Sequence, residues 1–366
     1  MSIDEPIKIG LGGGRRGKHP SGAAGRPGAI SVAPLAAGGE TEWAAFLATC
    51  NNGTLFHDLG FLAYHQAGRF RFNHLVARRN SVVVALVPGG IVETGGSRVF
   101  VSPLGASVGG PAVCPELDSR QMVELIAALQ DYAAARGWDG LRMTLAPPIY
   151  DRRPAETLSF ALFHRGFRLE NRWLCHLIPL EGSASARYET LFRQSQASRV
   201  RAQRRKGMTV IEGGIDQLAA FLSVFHDTYD RHGVNPTHSP AELADLLQRL
   251  PDRIRLHIAM LGDVAVAGIL VFLLNSQVAY SFYICMSSQY ARENGNIVIF
   301  AALVDRLAQQ GYRWLDLGPS AQIGRFNDGV AFFKESIGAI GHCRDQWFWA
   351  AAPARSREDR CPELAG

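Results

Sequence analysis

The sequence predicts a mixed α/β (α+β) fold of two related units, each with a mixed, mostly antiparallel sheet, one β-α-β unit and flanking helices. Two observations support this prediction. In the second half, apolar residues fill 280–286, resume with helical spacing over 297–310 and alternate over 312–317. The first half repeats the order strand, helix, strand. A β-α-β unit implies two parallel strands with the helix packed on one face.

The first half begins with strands and continues into a long helix. Two strands within 72–87 are predicted to meet at a turn at Asn80. Helical periodicity then covers 116–136, Gly137 ends the helix, and 138–145 reads as the next strand. This half therefore contains one complete β-α-β unit.

The second half repeats this order with three strands before its helix. The strands are predicted at 254–261, 264–274 and 277–286, with turn residues between them. After the helix, 311–317 resembles 137–143 of the first half, because each segment opens with glycine and forms the strand that follows a long helix. A repeat at so long a period indicates duplicated domains and not a solenoid.

Several kinds of protein are excluded by composition. The chain has 366 residues, 47% of them apolar, and a formal net charge of +5, which indicates a folded globular protein. The longest apolar run, 264–274, is too short to cross a bilayer. The six cysteines are scattered singly, without CxxC pairs, so neither a disulfide framework nor a metal site is predicted. We expect a cytoplasmic protein, with peripheral contact at the inner membrane face as an open alternative.

The loop after the third strand of the second half is the predicted donor site. A loop that opens a crossover helix presents unpaired backbone amides, which receive anionic or carbonyl-bearing ligands. The loop has one glycine between two asparagines, where a phosphate-binding loop has a run of glycines. The predicted donor-binding residues are Ser288, Gln289, Asn294, Gly295, Asn296 and Ile297.

Four short motifs, in their order along the chain, resemble one known family. They are 56–62, the pair 102–105 and 109–111, the triplet 316–318, and Phe333-Lys334 followed by Gly338. The chain resembles the FemABX aminoacyltransferases and their BioF2-like acyltransferase relatives in the GNAT superfamily, which carry a degenerate donor loop. The resemblance covers about 41–350 and implies two tandem GNAT-like domains. The helical arm that some FemABX members insert is absent, because no long heptad stretch exists.

The resemblance and the composition together give domain boundaries. We expect a disordered, basic, glycine-rich tail over 1–39, because this segment has almost nothing to bury. An N-terminal GNAT-like domain is expected over 40–182 and a C-terminal GNAT-like domain with the donor site over 183–352. Residues 353–366 are expected to be a flexible tail.

Three residues are the predicted catalytic groups: Lys334, Asp316 and Tyr283. Lys334 is the lead candidate for oxyanion stabilisation, since the equivalent position of the first half is Leu162. The resemblance implies the same, because the Phe-Lys pair of FemABX enzymes lines the active site. Asp316 is predicted to orient a base or the acceptor amine, with turn capping as the alternative. Tyr283 is predicted to offer its hydroxyl to the cleft, although tyrosines at strand spacing are usually part of the core.

Four further residues are predicted to bind substrate: Arg231, Arg325, Asn327 and Phe333. Arg231 stands in a segment that resembles a phosphate- or carboxylate-binding segment of the family, and a helix-ending loop is the alternative. Arg325 and Asn327 precede Lys334 in a glycine-containing segment that can close over substrate.

Five cations lie close together on a helix predicted over 187–206. They are Arg199, Arg201, Arg204, Arg205 and Lys206. The cluster predicts either a contact with phosphates, on tRNA or on a lipid-linked precursor, or simply a solvated helix face.

We therefore predict an N-acyltransferase that uses acyl-CoA and acylates an amine of a cell-envelope or polysaccharide precursor, by direct transfer in a ternary complex. The acceptor is expected to be a small-molecule or lipid-linked amine, and no DNA partner and no metal are expected. Two alternatives stay open. One is a FemABX-type aminoacyltransferase that uses aminoacyl-tRNA. The other is a non-catalytic binding partner in envelope-polysaccharide assembly.

Overall fold

The elements follow the predicted order. The computed structural model describes residues 28–66, 68–181, 188–233, 235–322 and 324–351. The strands are β1 Ile30–Pro34, β2 Leu75–Arg79, β3 Val82–Val87, β4 Gly90–Thr94, β5 Ser97–Ser102, β6 Ala112–Val113, β7 Gly140–Thr144, β8 Arg168–Pro179, β9 Met208–Gly213, β10 Ile254–Leu261, β11 Val264–Leu273, β12 Val278–Met286, β13 Trp314–Gln322, β14 Arg325–Phe326 and β15 Ile340–Ala350. The helices are α1 Glu40–Thr49, α2 Leu59–Leu62, α3 Ser119–Ala135, α4 Thr157–His164, α5 Tyr188–Leu191, α6 Gln194–Arg205, α7 Leu218–His232, α8 Pro240–Arg249, α9 Gly295–Gln309 and α10 Asp328–Ser336.

Both predicted β-α-β units are confirmed. β5 pairs in parallel with β7 across helix α3, and β12 pairs in parallel with β13 across helix α9. In each half the same sequence of elements follows: a hairpin, a long helix, a strand, a shorter helix and a final strand. The predicted α/β fold with two related halves is therefore confirmed.

One continuous sheet joins the two halves, because each half gives its final strand to the other. The order is β4-β5-β7-β15-β8-β13-β12-β11-β10-β9, with β14 paired to β13. β15 lies between β7 and β8, whereas β8 lies between β15 and β13. The side chains follow the strands: Trp347 of β15 packs in the core of the first half, beside Leu141 and Leu162. A second, smaller sheet has the order β1-β2-β3-β6.

The structure corrects three of the expected boundaries. Residues Ile30–Pro34 form β1 and pair with β2, so the end of the predicted tail over 1–39 is wrong. The basic helix predicted over 187–206 is two helices, α5 and α6, separated at Phe192 and Arg193. Strand β13 continues through Gly318 and Pro319, where the sequence predicted its end. The rest of the first tail, 1–27, and the second tail, 353–366, lie outside the described residues.

The strand exchange predicts that the stability of the first half depends on the last strand of the chain. Trp347 is 8% exposed and packs in the first half's core. We expect Trp347→Ala to lower the free energy of unfolding by about 3–5 kcal/mol, as removal of a buried aromatic ring does. Phe163→Ala is the matched control, since this aromatic side chain is 68% exposed. Urea denaturation measures both, and a Trp347→Ala variant as stable as the control would contradict the exchange.

Candidate active site

The candidate active site is built where β13 separates from both of its neighbours. β13 pairs with β12 only from Trp314 to Asp316, although both strands continue. On its other side, its pairing with β8 is irregular from Asp316 to Ala321. Gly318 has a φ of 74°, a left-handed conformation that favours glycine. The break turns two backbone carbonyls away from the regular sheet pairing.

Lys334 fills this break. It lies on α10, and its Nζ donates hydrogen bonds to the carbonyl oxygens of Gly318, at 2.8 Å, and of Pro319, at 3.0 Å. The residue is only 5% exposed. Burial lowers its pKa to about 8, against the opposing effect of the nearby Asp316 carboxylate. At neutral pH Lys334 is therefore mainly a buried ammonium group.

The first half shows what this position does when it is only structural. Leu162 on α4 is fully buried, and the Phe167 N–H closes its helix by donating to the Leu162 carbonyl at 3.0 Å. In α10 the Ala339 N–H donates to the Lys334 carbonyl in the same way, at 3.1 Å. A glycine with positive φ follows each helix, Gly166 after α4 and Gly338 after α10. The two halves thus place a leucine and a lysine at the same buried position.

Asp316 lies at the bottom of the same break. It is 2% exposed, and its carboxylate accepts hydrogen bonds from the Tyr150 hydroxyl and, at 2.6 Å, from the Gly318 N–H. Burial raises the pKa of Asp316, and the two donors and Lys334 oppose that change. The Asp316 carboxylate thus acts on Lys334 through its charge, and it is held in place by Tyr150 of the first half.

The third predicted catalytic residue, Tyr283, belongs to a different network. Its hydroxyl lies 2.7 Å from Nδ1 of His238, and the other ring nitrogen of His238 lies 2.7 Å from the Tyr64 hydroxyl. Burial raises the pKa of Tyr283. Tyr280 is the tyrosine next to Asp316, since the two residues are register partners between β12 and β13.

A cleft of about 680 Å³ lies beside Lys334, on β13. It is lined by Trp173, Pro319, Ser320, Ala321, Arg325, Phe326, Asn327, Asp328 and Gly329. Two predicted substrate-binding residues, Arg325 and Asn327, are thus exposed at the cleft, and Asn327 also caps α10 by accepting from the Val330 N–H at 3.0 Å. Phe333, the predicted partner of Lys334, instead packs toward α9, with its ring 6.2 Å from that of Phe300.

The predicted donor loop is partly closed by an acidic side chain. The Asp227 carboxylate accepts from the Ser288 N–H at 2.7 Å and from the Ser288 hydroxyl at 3.0 Å. Asp227 lies one helical turn before Arg231, which is exposed and lowers the pKa of Asp227 together with the Ser288 hydrogen bonds. The substrate site predicted at Arg231 is therefore next to the donor loop.

Two other loop residues have structural roles. Asn294 adopts a left-handed conformation with φ 51° at the start of α9, and no side chain in the described ranges caps that helix end. Gly295 is required for close packing, because a Cβ there would lie 2.8 Å from the Ala267 Cβ. Gln289 is exposed, Ile297 is buried in the core, and the Asn296 side-chain oxygen is buried without a hydrogen-bond partner in the described part of the chain.

Sequence reasoning missed a third group at the cleft. Ser320 lies with its Oγ 2.9 Å from Nδ1 of His176, and Nε2 of His176 lies 3.5 Å from a carboxylate oxygen of Glu335. His176 is on β8 and Ser320 on β13, 144 positions apart in the chain. No spacing motif joins such residues, since only the exchange of β8 into the second half brings them together.

The predicted cationic cluster is a solvated face of α6. Its five members, Arg199, Arg201, Arg204, Arg205 and Lys206, are exposed, and none forms an ion pair with another residue in the described ranges. Arg204 lies over the Tyr188 ring at 4.9 Å. Elsewhere in the described residues, no three or more His, Cys, Asp or Glu side chains are grouped to hold a metal. None of the helices that can be described is long and apolar enough to cross a membrane.

Comparisons with known proteins agree with this geometry. Residues 192–334, which include the donor loop, β13 and Lys334, match the family model described as acetyltransferase (GNAT) domain. The structure is similar to FemX, with a TM-score of 0.69 and 12% identity over 85% of this chain and 96% of FemX. It also resembles a tandem GNAT protein from the clavulanic acid biosynthesis pathway, with a TM-score of 0.52 and 10% identity over 89% of this chain and 99% of that one.

A further similar structure is L-PGS from Bacillus licheniformis, with a TM-score of 0.54 and 14% identity over 84% of this chain and 90% of that one. A sequence comparison with curated proteins finds no match. Residues 192–334 thus match the model of a GNAT acetyltransferase domain, and the chain has a fold similar to those of FemX and of a tandem GNAT protein. The match of residues 192–334 to this domain supports an acyltransferase.

The hydrogen bond from the Tyr150 hydroxyl to the buried Asp316 carboxylate leads to a prediction about stability. Tyr150→Phe removes this hydroxyl and leaves a buried oxygen of the Asp316 carboxylate without its hydrogen-bond donor. We expect the free energy of unfolding to fall by about 1–3 kcal/mol, which is the usual cost of such an unsatisfied group. The control is Tyr132→Phe, because the Tyr132 hydroxyl is buried with no hydrogen-bond partner among the residues described. Chemical denaturation at pH 7 compares the two, and equal stabilities would refute the Tyr150–Asp316 contact.

Proposed function

We propose that this protein transfers an acyl group to an amine of a cell-envelope or polysaccharide precursor, at the cleft beside β13. The observation that carries the proposal is the ammonium group of Lys334. Lysine has three N–H donors, and two of them bind the carbonyls of Gly318 and Pro319. We assign the third to the acyl oxygen of the donor, because a donor fixed in a site of low water content stabilises a developing oxyanion.

The chemistry needs no covalent enzyme intermediate. The acceptor amine attacks the acyl carbonyl of the bound donor, a C–N bond forms, and the carbonyl oxygen takes up negative charge next to Lys334. Collapse of this intermediate breaks the bond to the donor. Asp316 favours the charged form of Lys334. Since Tyr150 and Gly318 N–H both donate to Asp316, the carboxylate is fixed and cannot itself move to the reacting atoms.

Acyl-CoA is the proposed donor. Beyond Tyr280 and Asp316, strands β12 and β13 no longer pair. The gap between them leaves room for a donor in an extended conformation. The N-terminus of α9 opens directly from the donor loop and has no side-chain cap in the described ranges. An uncapped helix N-terminus offers backbone N–H groups and a positive dipole end to a phosphate.

Aminoacyl-tRNA is the second candidate donor, and a specific observation favours it. The Ser288 N–H at the start of the donor loop already donates a hydrogen bond to the Asp227 carboxylate. The negative charge of Asp227 would repel a pyrophosphate bound there. The exposed cationic face of α6, which extends to Lys206, can instead bind the phosphates of a nucleic acid.

The surface around the cleft supports a lipid-linked acceptor and peripheral contact with a membrane. Phe326 and Phe332 are 59% and 57% exposed, which is unusual for large apolar side chains. Arg193 lies over the Phe332 ring at 4.9 Å, and Arg325 is exposed next to Phe326. Exposed aromatic side chains beside cations fit the boundary between apolar chains and anionic head groups.

The proposal predicts a strong effect of Lys334→Ala. We expect the rate of acyl transfer to fall about 10²- to 10³-fold, as it does when one oxyanion donor is removed. Lys206→Ala, which changes the other lysine in the described ranges, is the control with acetyl-CoA as donor.

In the wild type, activity is expected to fall as pH rises through about 8, where Lys334 loses its proton. Lys334→Arg removes this decline, and Asp316→Asn moves it to lower pH.

Transfer by folded Lys334→Ala at the wild-type rate would remove Lys334 from the mechanism. Transfer by neither the wild type nor any variant, with any donor, would instead favour the non-catalytic binding role.

Binding measurements separate the two donors. Saturable binding of acetyl-CoA that is increased by Asp227→Ser supports the acyl-CoA route, because the substitution frees the Ser288 amide. Binding of aminoacyl-tRNA that decreases with salt and with neutralisation of Arg201, Arg204 and Arg205 supports the second route. Isothermal titration at two salt concentrations measures both, with Arg120→Ala as a control for an exposed arginine on the first half. Salt-insensitive tRNA binding would exclude the second route.

A further inference from the structure

A chain of three side chains that the mechanism above does not use begins at the cleft, with one hydrogen bond and one contact at ion-pair distance. Ser320 lines the cleft, its Oγ lies 2.9 Å from Nδ1 of His176, and Nε2 of His176 lies 3.5 Å from Glu335. The His176 side chain is 1% exposed, whereas that of Glu335 is 50% exposed. The chain therefore leads from the cleft, through a buried imidazole, to a carboxylate in contact with water.

The surroundings of His176 favour a neutral imidazole. Burial and the charge of Lys334, on α10, lower its pKa, while Glu335 on α10 and Asp316 on β13 act in the opposite direction. From β15, its register partner is Gly341, which carries no charge. Because Glu335 is only an acceptor, Nε2 of a neutral His176 carries the proton. Nδ1 then accepts the hydrogen bond of the Ser320 hydroxyl and can take up a proton.

We propose that Ser320, His176 and Glu335 form the proton relay that accepts the proton of the attacking amine. The inference rests on the proposed acyl transfer. When the C–N bond forms, the amine proton passes to Ser320 Oγ while the Ser320 hydroxyl proton passes to Nδ1 of His176. Glu335 stabilises the imidazolium cation. When the bond to the donor breaks, the proton returns along the same path to the leaving sulfur or oxygen, so that the relay ends unchanged.

The position of Ser320 relative to Lys334 supports this role. Ser320 directly follows Pro319, whose carbonyl holds the Lys334 ammonium. The Lys334 ammonium group and the Ser320 hydroxyl are therefore held at two adjoining residues, Pro319 and Ser320, in the break of β13. The attacking nitrogen and the oxyanion are bonded to the same carbon of the intermediate, so a base within hydrogen-bond reach of the nitrogen and a donor to the oxygen have to lie close together.

The test compares two acceptors with the donor that the binding measurements select. Both amines lose one proton on attack, but hydroxylamine is the weaker base, so the N–H of its adduct is more acidic and passes to water more readily without the relay. We expect His176→Gln and Ser320→Ala to lower kcat with glucosamine about 10²- to 10⁴-fold, as loss of a general base does, with KM unchanged. With hydroxylamine the loss is expected to be small. Lys334→Ala lowers the rate with both acceptors, and His342→Gln, a half-buried histidine on β15, is the matched control.

Three outcomes would overturn the relay: equal losses with both acceptors, a rise of KM alone, or an acyl adduct on Ser320 detected by intact-protein mass spectrometry with donor alone. If the wild type acylates neither acceptor, the proposed function fails instead. The relay is then judged by ¹⁵N NMR of the His176 ring. A neutral ring with the proton on Nε2 at pH 7, altered by Ser320→Ala, supports the relay. A cationic His176 at pH 7 contradicts it.

Discussion

The candidate active site depends on one ammonium group, that of Lys334, which is held out of water. A pKa of about 8 for Lys334, against an ordinary value of 10.5, corresponds to about 3 kcal/mol of disfavoured charge. Because the pKa is lower in the folded state than in the unfolded chain, this group reduces stability at neutral pH, and stability recovers as pH rises from about 8 toward 10.5. Leu162 at the equivalent position shows that a buried apolar side chain fits there. The lysine is therefore costly for folding, which is typical of a group kept for chemistry.

The exchange of β8 and β15 explains why the site needs both halves. His176 and Trp173 come from β8, which belongs to the first half in sequence and pairs with β13 of the second. Tyr150, also from the first half, donates to Asp316. Because the two halves share one sheet, they cannot move as independent bodies without breaking the strand pairs that position these side chains. The fold thereby holds the lysine, the carboxylate and the imidazole in fixed relation to one another.

Much of the fold was predictable from the sequence, because hydrophobic periodicity and the internal repeat identify both β-α-β units. Lys334 and Asp316 could be singled out from the sequence, since one interrupts an apolar repeat position and the other begins the triplet 316–318; their catalytic roles stay predictions. Strand alternation could not show which of Tyr280 and Tyr283 lies next to Asp316. Regular alternation places residues three apart on opposite faces, but β12 has an irregularity opposite Leu270 and Val271, and both tyrosines face the same core.

Strand exchange was not predictable from periodicity, which identifies strands but not their neighbours. For that reason His176 and Ser320 were missed, although each lies on a strand. The end of β13 was misplaced because Gly318 and Pro319 usually end a strand, whereas here they form the irregular segment that receives Lys334. The early β1 was missed because it stands next to a glycine-rich segment and is only five residues long.

The most direct test of the central claim is the titration of Lys334 itself. Heteronuclear NMR of the protein labelled with ¹³C at the lysine Cε follows this group among few lysines, and Lys334→Met assigns its signal. We expect a midpoint at about pH 8, shifted to lower pH in Asp316→Asn, because the carboxylate charge favours the ammonium form. A midpoint near that of a solvent-exposed lysine, unaffected by Asp316→Asn, would show that Lys334 is not the buried cation described above and would contradict its role as oxyanion donor.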